Sequence, residues 1–318
     1  HAIDDNYDYL FFIDSDIILH PDTLQQLISD QKDIVSNIFW TRWNSNSPEM
    51  PQVWQEDAYS LYKTDHKETN REQKKISDTI EFVMKLRTPG VYEVGGLGAC
   101  TLISRNALLA GVNFTQLNNI SFWGEDRHFC IRAASLGFKL FVDTHYPALH
   151  IYRKEDLSKV SNFISTGEYN ELKKICLVIN SYSGSNTLAL FKMMPEEFRS
   201  KYEIRPISQH NIINYVLEVL NSDIVVTTEG NYLLNNKNFK PDQVVVDLWH
   251  GFPLKAMGLM DKQDTLKHKV NEQWQNLNYM TSFSQLFNEV MNKCTNIPLD
   301  KFVITGNPRN DFLFLSTG

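Results

Sequence analysis

Residues 248–255 read LWHGFPLK and follow a short run of β-branched residues, Val244–Val246. Further along the chain, residues 305–311 read TGNPRND and follow a second apolar run, Phe302–Ile304. An apolar run that breaks into glycine and proline is typical of a buried parallel strand that ends in a tight loop and opens a helix. In doubly wound sheets, ligands bind at the carboxyl ends of such strands. The two loops therefore predict an α/β fold with a binding site at one edge of its sheet.

Each loop carries a side chain that suits the chemistry of phosphate esters. His250 can exchange a proton near neutral pH, and Arg309 can pair with a phosphate through its guanidinium. The amides that follow His250, beginning at Gly251, are predicted to face a bound anion at a helix start. Two alternatives stay open. His250 can act as a structural hydrogen-bonding group, and Arg309 can brace its own loop through Asp311.

Strands and helices alternate throughout the second half of the chain. The predicted strands are Ile175–Asn180, Tyr202–Ile207, Asp223–Thr228, Val244–Trp249, Tyr279–Phe283 and Phe302–Thr305, and the predicted helices are Leu188–Met194, Ile212–Leu220 and Leu286–Met291. This alternation indicates βαβ units and a parallel sheet.

Three further segments of this half have both a structural and a functional interpretation. Ser284 follows a predicted strand and is expected to cap the next helix, with contact to an acceptor as the alternative. Glu229 and Gly230 also follow a predicted strand, and the same two interpretations apply to them. The apolar and basic stretch Lys255–Lys262 is expected to pack on its own domain rather than to contact a membrane.

The WHGFPLK and GNPRND blocks resemble those of the CDP-glycerol glycerophosphotransferases, the teichoic-acid polymerase family. The resemblance implies a GT-B fold, of which residues 173–318 match one Rossmann-like lobe, the N-terminal one. It also implies transfer of glycerol phosphate from CDP-glycerol to a glycerophosphate-type acceptor, with His250 as the base. No metal is expected in this half, and the C-terminal lobe is expected beyond Gly318.

The first half carries two acidic motifs. Asp14 and Asp16 follow the apolar run Tyr9–Ile13, and such a pair of hard oxygen ligands suits Mg²⁺ or Mn²⁺ bound to a nucleotide diphosphate. Residues 123–126 read WGED and are predicted to open a helix that ends at Gly137, after which Phe138–Val142 is predicted to be a strand. A carboxylate there can accept the proton of a sugar hydroxyl. Turn formation and helix capping are the structural alternatives for these acidic residues.

In chain order, the DSD, GGLGACTLI and WGEDRHFCIRA segments and a trailing histidine resemble the family-2 type glycosyltransferases of GT-A fold. The resemblance covers residues 1 to about 152 and lacks the family's opening segment, so the donor, a UDP- or other NDP-sugar, is not specified. It implies the following roles: Mg or Mn held by Asp16 and His150, the nucleotide near Asp14, Asp126 as general base, Glu125 near the acceptor, and Gly96 and Gly98 against substrate. A tight turn for the glycines and a structural role for His150 stay open.

The predicted organisation is a partial GT-A-like nucleotide-diphospho-sugar transferase domain (1–153), a polar linker (154–172) and the GT-B-like lobe (173–318). The first residue is not methionine, and both ends look cut, so we expect a fragment of a longer protein. The net charge of −7 argues against a nucleic-acid partner. Four scattered cysteines fit neither a disulfide framework nor a zinc site.

These features predict a cytoplasmic enzyme of cell-envelope polymer synthesis that fuses a sugar transferase to a glycerophosphotransferase. No apolar run reaches the ~18 residues of a membrane span, so any contact with the inner face of the cell membrane would be peripheral. A lipid-linked or polymeric acceptor is expected. Two alternatives stay open: a GT-B nucleotide-sugar glycosyltransferase or epimerase in the second half, or a non-catalytic binding module whose carboxylates are structural.

Overall fold

The computed structural model describes residues 2–314 except 45–46, 65–70, 123, 169–171, 181–184, 229–241, 264–269, 271–273 and 275. The chain divides into two compact units, His1–Asn170 and Glu171–Gly318. The strands of the first unit are β1 (Tyr9–Phe12), β2 (Ile17–Ile18), β3 (Ile34–Thr41), β4 (Met50–Pro51), β5 (Val53–Trp54), β6 (Val91–Val94), β7 (Gly96–Leu97), β8 (Thr101–Ser104) and β9 (Leu140–His150). Its helices are α1 (Thr23–Ser29), α2 (Arg71–Leu86), α3 (Arg105–Leu109), α4 (Glu125–Ser135) and α5 (Leu157–Thr166).

A mixed seven-stranded sheet forms the centre of the first unit. Its order is β1-β8-β3-β9-β2, with β4 added to β3 and β6 added to β9. Strands β3 and β9 run parallel, and β8 pairs antiparallel with β3. Helix α4 buries Phe129 and Ala133 in the same apolar cluster as Ile34 of β3 and Val142 of β9. The sheet thus holds the start of α4, which carries the second acidic motif, in a fixed place.

The second unit contains a parallel sheet. Its strands are β10 (Lys174–Val178), β11 (Glu203–Ile207), β12 (Ile224–Thr227), β13 (Val244–Asp247), β14 (Tyr279–Ser282) and β15 (Phe302–Ile304), and its helices are α6 (Asn186–Met193), α7 (Glu196–Arg199), α8 (Ile212–Asn221) and α9 (Gln285–Thr295). The order is β11-β10-β12-β13-β14-β15, and every one of these pairs is parallel. This confirms the α/β alternation predicted for the second half. The strand order reverses at β10, where doubly wound sheets form their binding crevice.

Side-chain caps fix where the helices of this unit begin. Ser185, Asn211 and Ser284 accept hydrogen bonds from the backbone N–H groups of Leu188, Asn214 and Phe287, respectively. Each cap satisfies an N–H group that has no partner within the helix. The loops at the carboxyl edge of the sheet therefore end at defined points.

Two predicted boundaries were wrong in the first unit. Strand β9 continues to His150, whereas the sequence predicted a strand that ends at Val142. Residues 154–172 were predicted to be a linker, but α5 occupies Leu157–Thr166 and buries Phe163, which is 1% exposed. The polar composition of this segment concealed apolar residues at helical spacing, Val160, Phe163 and Ile164. The part of the predicted linker at 169–171 lies outside the described residues.

The thiols are buried in both units. Cys100 and Cys130 lie in the first unit and Cys176 and Cys294 in the second, and all four are free. Burial raises the pKa of the Cys100 and Cys130 thiols to about 12. Within the described ranges, no helix is both long and apolar enough to cross a membrane.

Candidate active sites in the two units

The histidine loop (residues 248–251) and the arginine loop (residues 305–311) lie at the same edge of the parallel sheet. Strand β13 ends at Asp247 and leads into residues 248–251, while β15 ends at Ile304 and leads into residues 305–307. Only β14 separates the two strands, so their carboxyl ends are close. His250 is exposed and Arg309 is partly exposed. His250 and, in part, Arg309 are therefore accessible to solvent.

A buried asparagine joins these two loops. Asn186, the first residue of α6, donates through Nδ2 to the carbonyl oxygen of Trp249 (2.6 Å) and accepts through Oδ1 from the backbone N–H of Arg309 (3.2 Å). Gly251 lies against the same arginine, since a Cβ added there would sit 3.9 Å from Arg309 Nη2. The structure thus brings together the two motifs that the sequence singled out.

Trp249 anchors the histidine loop. Its φ of 49° lies in the left-handed region, which residues other than glycine adopt only when their surroundings enforce it. Its backbone N–H donates to Asp247 Oδ1 at 2.6 Å. Its buried ring packs near the ring of Trp274, and the two ring centroids are 6.0 Å apart. The His250 ring lies 4.4 Å from the Trp249 ring, centroid to centroid. A rigid indole therefore supports the exposed imidazole.

The helix predicted directly after the histidine loop was wrong. Residues 252–257 are irregular and lead into a single 3₁₀ turn, Gly258–Met260. The segment FPLK carries Pro253, which has no N–H to donate and disfavours helix at the residue before it. Gly251 is therefore not at a helix start, and its contribution is close approach to Arg309. The arginine loop opens a 3₁₀ helix, Pro308–Phe314.

Ser284 is engaged in helix capping. Its Oγ accepts from the Phe287 N–H at 3.1 Å, which is the capping role expected for it. Ser282, two residues earlier, is buried, and its carbonyl oxygen accepts from the N–H groups of Thr305 and Gly306, both at 2.9 Å. These bonds tie the end of β14 to the arginine loop. Glu229 and Gly230 lie outside the described residues.

In the first unit, strand pairing places Asp16 beside His150. Strand β2 pairs antiparallel with β9 so that Ile17 lies opposite His150. The Asp16 Oδ2 to His150 Nε2 distance is 3.3 Å, and the other ring nitrogen, Nδ1, lies 2.7 Å from Thr41 Oγ1. The two predicted metal ligands are therefore neighbours, and Thr41 fixes the orientation of the imidazole.

The carboxylates of the two acidic motifs affect one another. Burial raises the pKa of Asp14, and the charges of Asp16 and Glu125 raise it further while His150 opposes them. Burial also raises the pKa of Asp126 to about 7, with added contributions from Glu125 and Asp14. A carboxyl group with a pKa near neutrality is suited to general-base catalysis. Trp123, the first residue of the second motif, lies outside the described residues.

The two candidate glycines differ in what surrounds them. A Cβ on Gly96 would overlap the ring of the buried Trp54, so this glycine is required for packing. A Cβ on Gly98 would lie 3.4 Å from Asp126 Oδ2. Only Gly98 thus borders a carboxylate of the candidate site.

The predicted metal site comprises two protein groups, Asp16 and His150. Among the residues that the structure describes, no three or more His, Cys, Asp or Glu side chains are disposed to hold a metal ion. Mg²⁺ is typically bound by one or two carboxylates together with substrate phosphates and water. Asp16 and His150 fit a cation shared with a diphosphate rather than one enclosed by protein.

One residue of this region was not found from the sequence. Tyr59 has a raised pKa of about 12, caused by burial and then by the nearby charge of Asp126. Tyr59 and the preceding Ala58 have left-handed φ values of 58° and 62°, respectively. The preceding Asp57 accepts two 2.8 Å hydrogen bonds from Arg127 of α4. This clamp holds Tyr59 close to the predicted base.

The second unit is an α/β lobe of parallel strands with a polar site at their carboxyl ends. The chain belongs to the CDP-glycerol:poly(glycerophosphate) glycerophosphotransferase family, whose model matches residues 138–318, more than half of its length. The family is thus one of transferases. The first residues of the match lie in the first unit, which ends at Asn170.

Solved structures similar to this chain include the wall teichoic acid polymerase TagF. The match has 16% sequence identity and a TM-score of 0.39, and covers 45% of this chain and 40% of TagF. A variant of TagF soaked with CDPG matches with 16% identity and a TM-score of 0.38, covering 45% of this chain and 40% of that one. This chain thus spans less than half the length of the structures it matches. The comparison with curated proteins found no match.

Proposed function

We propose that this chain acts in the synthesis of a cell-envelope polymer of the teichoic-acid type. It transfers glycerol phosphate from CDP-glycerol to a glycerophosphate-type acceptor, which is lipid-linked or polymeric. One observation carries the proposal: Asn186 holds together the loops that bear His250 and Arg309 at the carboxyl edge of a parallel sheet. Membership of the glycerophosphotransferase family supports the same reaction.

The proposed chemistry needs a base and a cation. A terminal hydroxyl of the acceptor attacks the glycerol-bearing phosphorus of CDP-glycerol, a new P–O bond forms, and the bond to the CMP oxygen breaks. His250 accepts the proton of the attacking hydroxyl, and its exposed position lets an acceptor reach it. Arg309 pairs with the phosphate, whose charge is redistributed in the transition state, and Gly251 leaves room beside the guanidinium.

The test is the rate of CMP release by the full-length gene product from CDP-glycerol with a glycerophosphate-primed lipid acceptor. His250→Ala is expected to lower kcat about 10²- to 10⁴-fold, the usual contribution of a general base. His210→Ala is the matched control, because His210 is also exposed but follows β11, three strands away from β13. Equal rates in the two variants would remove His250 from the mechanism.

We infer a second activity for the first unit, that of a metal-dependent inverting sugar transferase using an NDP-sugar. The observation that favours it is the half-buried Asp126, whose pKa of about 7 suits a base and which faces Gly98. In this proposal Asp14 lies at the nucleotide and Glu125 near the acceptor. Asp16 and His150 would hold Mg²⁺ or Mn²⁺, which would stabilise the departing diphosphate.

Mn²⁺ binding by calorimetry tests this second activity without a sugar substrate. Asp16→Asn is expected to weaken Mn²⁺ binding about tenfold or more in the presence of a nucleoside diphosphate. Asp22→Asn is the control, an exposed aspartate at the start of α1 that lies outside the acidic cluster. Unchanged Mn²⁺ affinity in Asp16→Asn would support a binding module with structural carboxylates.

A further inference from the structure

Asn186 occupies a position from which one side chain reaches two loops. It is the first residue of α6 and is fully buried, at 0% exposure. The helix is already capped by Ser185, whose Oγ accepts from the Leu188 N–H. The amide of Asn186 is therefore not needed to begin the helix and is available for other partners.

Asn186 uses both the donor and the acceptor of its amide to contact the two loops. Its Nδ2 donates to the histidine loop, at 2.6 Å from Trp249 O and 3.5 Å from Leu248 O. Its Oδ1 accepts from the N–H of Arg309 at 3.2 Å, and Nδ2 also lies 3.5 Å from Asn307 Oδ1. A carboxamide supplies both a donor and an acceptor on one planar group, which no other side chain of this size does.

These bonds act on the residues next to the reacting groups. Trp249 directly precedes His250, and the second bond is made by the backbone of Arg309 itself. A shift of about 1 Å in catalytic groups can lower a rate about 10²-fold. The separation between imidazole and guanidinium hence depends on a residue that lies in neither loop.

We propose that Asn186 is a positioning residue that sets the spacing of His250 and Arg309 for the glycerophosphate acceptor reaction. The inference rests on the proposed function of this unit. It adds a third element, the start of α6 after β10, to a site that the sequence motifs place only after β13 and β15.

Three isosteric variants separate positioning from general stabilisation. Asn186→Leu keeps the volume of the side chain and removes its hydrogen bonds to both loops. Thr281→Val removes a bond to the histidine loop alone, since Thr281 Oγ1 donates to Leu248 O at 3.1 Å. Thr187→Val is the control, because Thr187, next to Asn186, is equally buried and its two partners lie outside both loops: it donates to Val178 O of β10 at 2.8 Å and lies 2.9 Å from Ser185 Oγ.

The first measurement is amide hydrogen exchange in the full-length protein. Asn186→Leu is expected to accelerate exchange about tenfold in both 248–251 and 307–311. Thr281→Val should do so in 248–251 alone, and Thr187→Val in neither segment. Unchanged exchange of both segments in Asn186→Leu would overturn the inference, whatever the enzyme's substrate proves to be.

The second measurement is steady-state transfer from CDP-glycerol. Asn186→Leu is expected to lower kcat/KM about 10- to 100-fold, mainly through kcat, whereas Thr187→Val changes it less than about threefold. If both variants lower the melting temperature alike and keep the same kcat, Asn186 is merely structural and the inference fails. Absence of transfer by the unmodified protein would instead refute the proposed function, and the exchange data would still decide the positioning role.

Discussion

At the scale of single residues, one half-buried carboxyl group makes the stability of the first unit depend on pH. Partial burial of Asp126 raises the pKa of its carboxyl to about 7, and the nearby charges of Glu125 and Asp14 add to this effect. The folded state therefore favours its protonated form more than the unfolded chain does. This contribution to stability is present at acidic pH and is lost as the pH rises through about 7.

We predict that Asp126→Asn raises the free energy of unfolding at pH 8 by about 2–4 kcal/mol, because a tenfold change in proton affinity corresponds to about 1.4 kcal/mol. Near pH 4 the variant and the unmodified protein should be equally stable. Urea unfolding in EDTA across this pH range measures the difference. A gap between the two proteins that stays constant with pH would show that Asp126 does not titrate in this range.

The two glycines of the first unit provide a matched pair. Gly96→Ala places a methyl group inside the buried Trp54 ring, so we predict a loss of stability of about 1–3 kcal/mol from overpacking. Gly98→Ala places it 3.4 Å from Asp126 Oδ2, which is tight but not prohibitive. Gly98→Ala should lower the free energy of unfolding, measured in urea, by less than about 1 kcal/mol. Its main effect should be a lower rate of the proposed sugar transfer. Equal destabilisation by both variants would contradict the packing role of Gly96.

At the scale of elements, Ser284 illustrates how capping and substrate contact can be distinguished. Ser284→Ala is predicted to cost about 1 kcal/mol of stability through the lost cap of α9. Ser185→Ala, which removes the equivalent cap of α6, should cost about the same. Glycerophosphate transfer by Ser284→Ala should stay within about twofold of the unmodified rate. A tenfold loss of kcat/KM with normal melting would instead place Ser284 at the acceptor.

The elements of the second unit were predictable because their signals are local. Strands β10, β12, β13 and β15 are short apolar runs bounded by polar or turn residues, and helices α6, α8 and α9 each begin at a side-chain cap. Strand β9 shows the limit of such prediction, because the sequence predicted a strand that ends at Val142, whereas β9 continues through Pro147 to His150. In the sheet, Pro147 lies where the β3–β9 register shifts, between the pairs Asn37–Asp143 and Phe39–Ala148. Proline is tolerated at such irregularities.

The motifs of the candidate site were predictable from the sequence, but the hydrogen bonds and ion pairs that position them were not. His250 and Arg309 stand in recognisable blocks, whereas Asn186 sits at a helix start, where an asparagine is read simply as a cap. Its partners lie 63 and 123 residues further along the chain. The Arg127–Asp57 ion pair, which positions Tyr59, spans 70 residues. Pairings of this kind depend on tertiary structure, and neither charge nor periodicity indicates them.

At the scale of the whole molecule, the family match and the structural division do not coincide. The match begins at residue 138, but the first unit extends to Asn170. Strand β9, inside this overlap, pairs with β2, β3 and β6 of the first unit. A boundary drawn at residue 138 would therefore remove β9 from its partners.

We predict that a chain starting at residue 171 is folded and that one starting at 138 aggregates or is readily proteolysed. The longer piece exposes buried residues of β9, among them Leu140, Val142 and Leu149. Circular dichroism melting and limited proteolysis of the two pieces measure this. A cooperative transition in the longer piece, without cleavage between 138 and 170, would show that this segment does not need the first unit.

The buried cysteines allow the opening of each unit to be followed separately. Each unit encloses two unpaired cysteines, and a thiol shielded from solvent reacts with an alkylating reagent only when its surroundings open. Mass-resolved labelling at Cys100 and Cys130 would time the opening of one unit, and labelling at Cys176 and Cys294 that of the other. Comparison of the two labelling rates would therefore show whether the two units open together or one after the other.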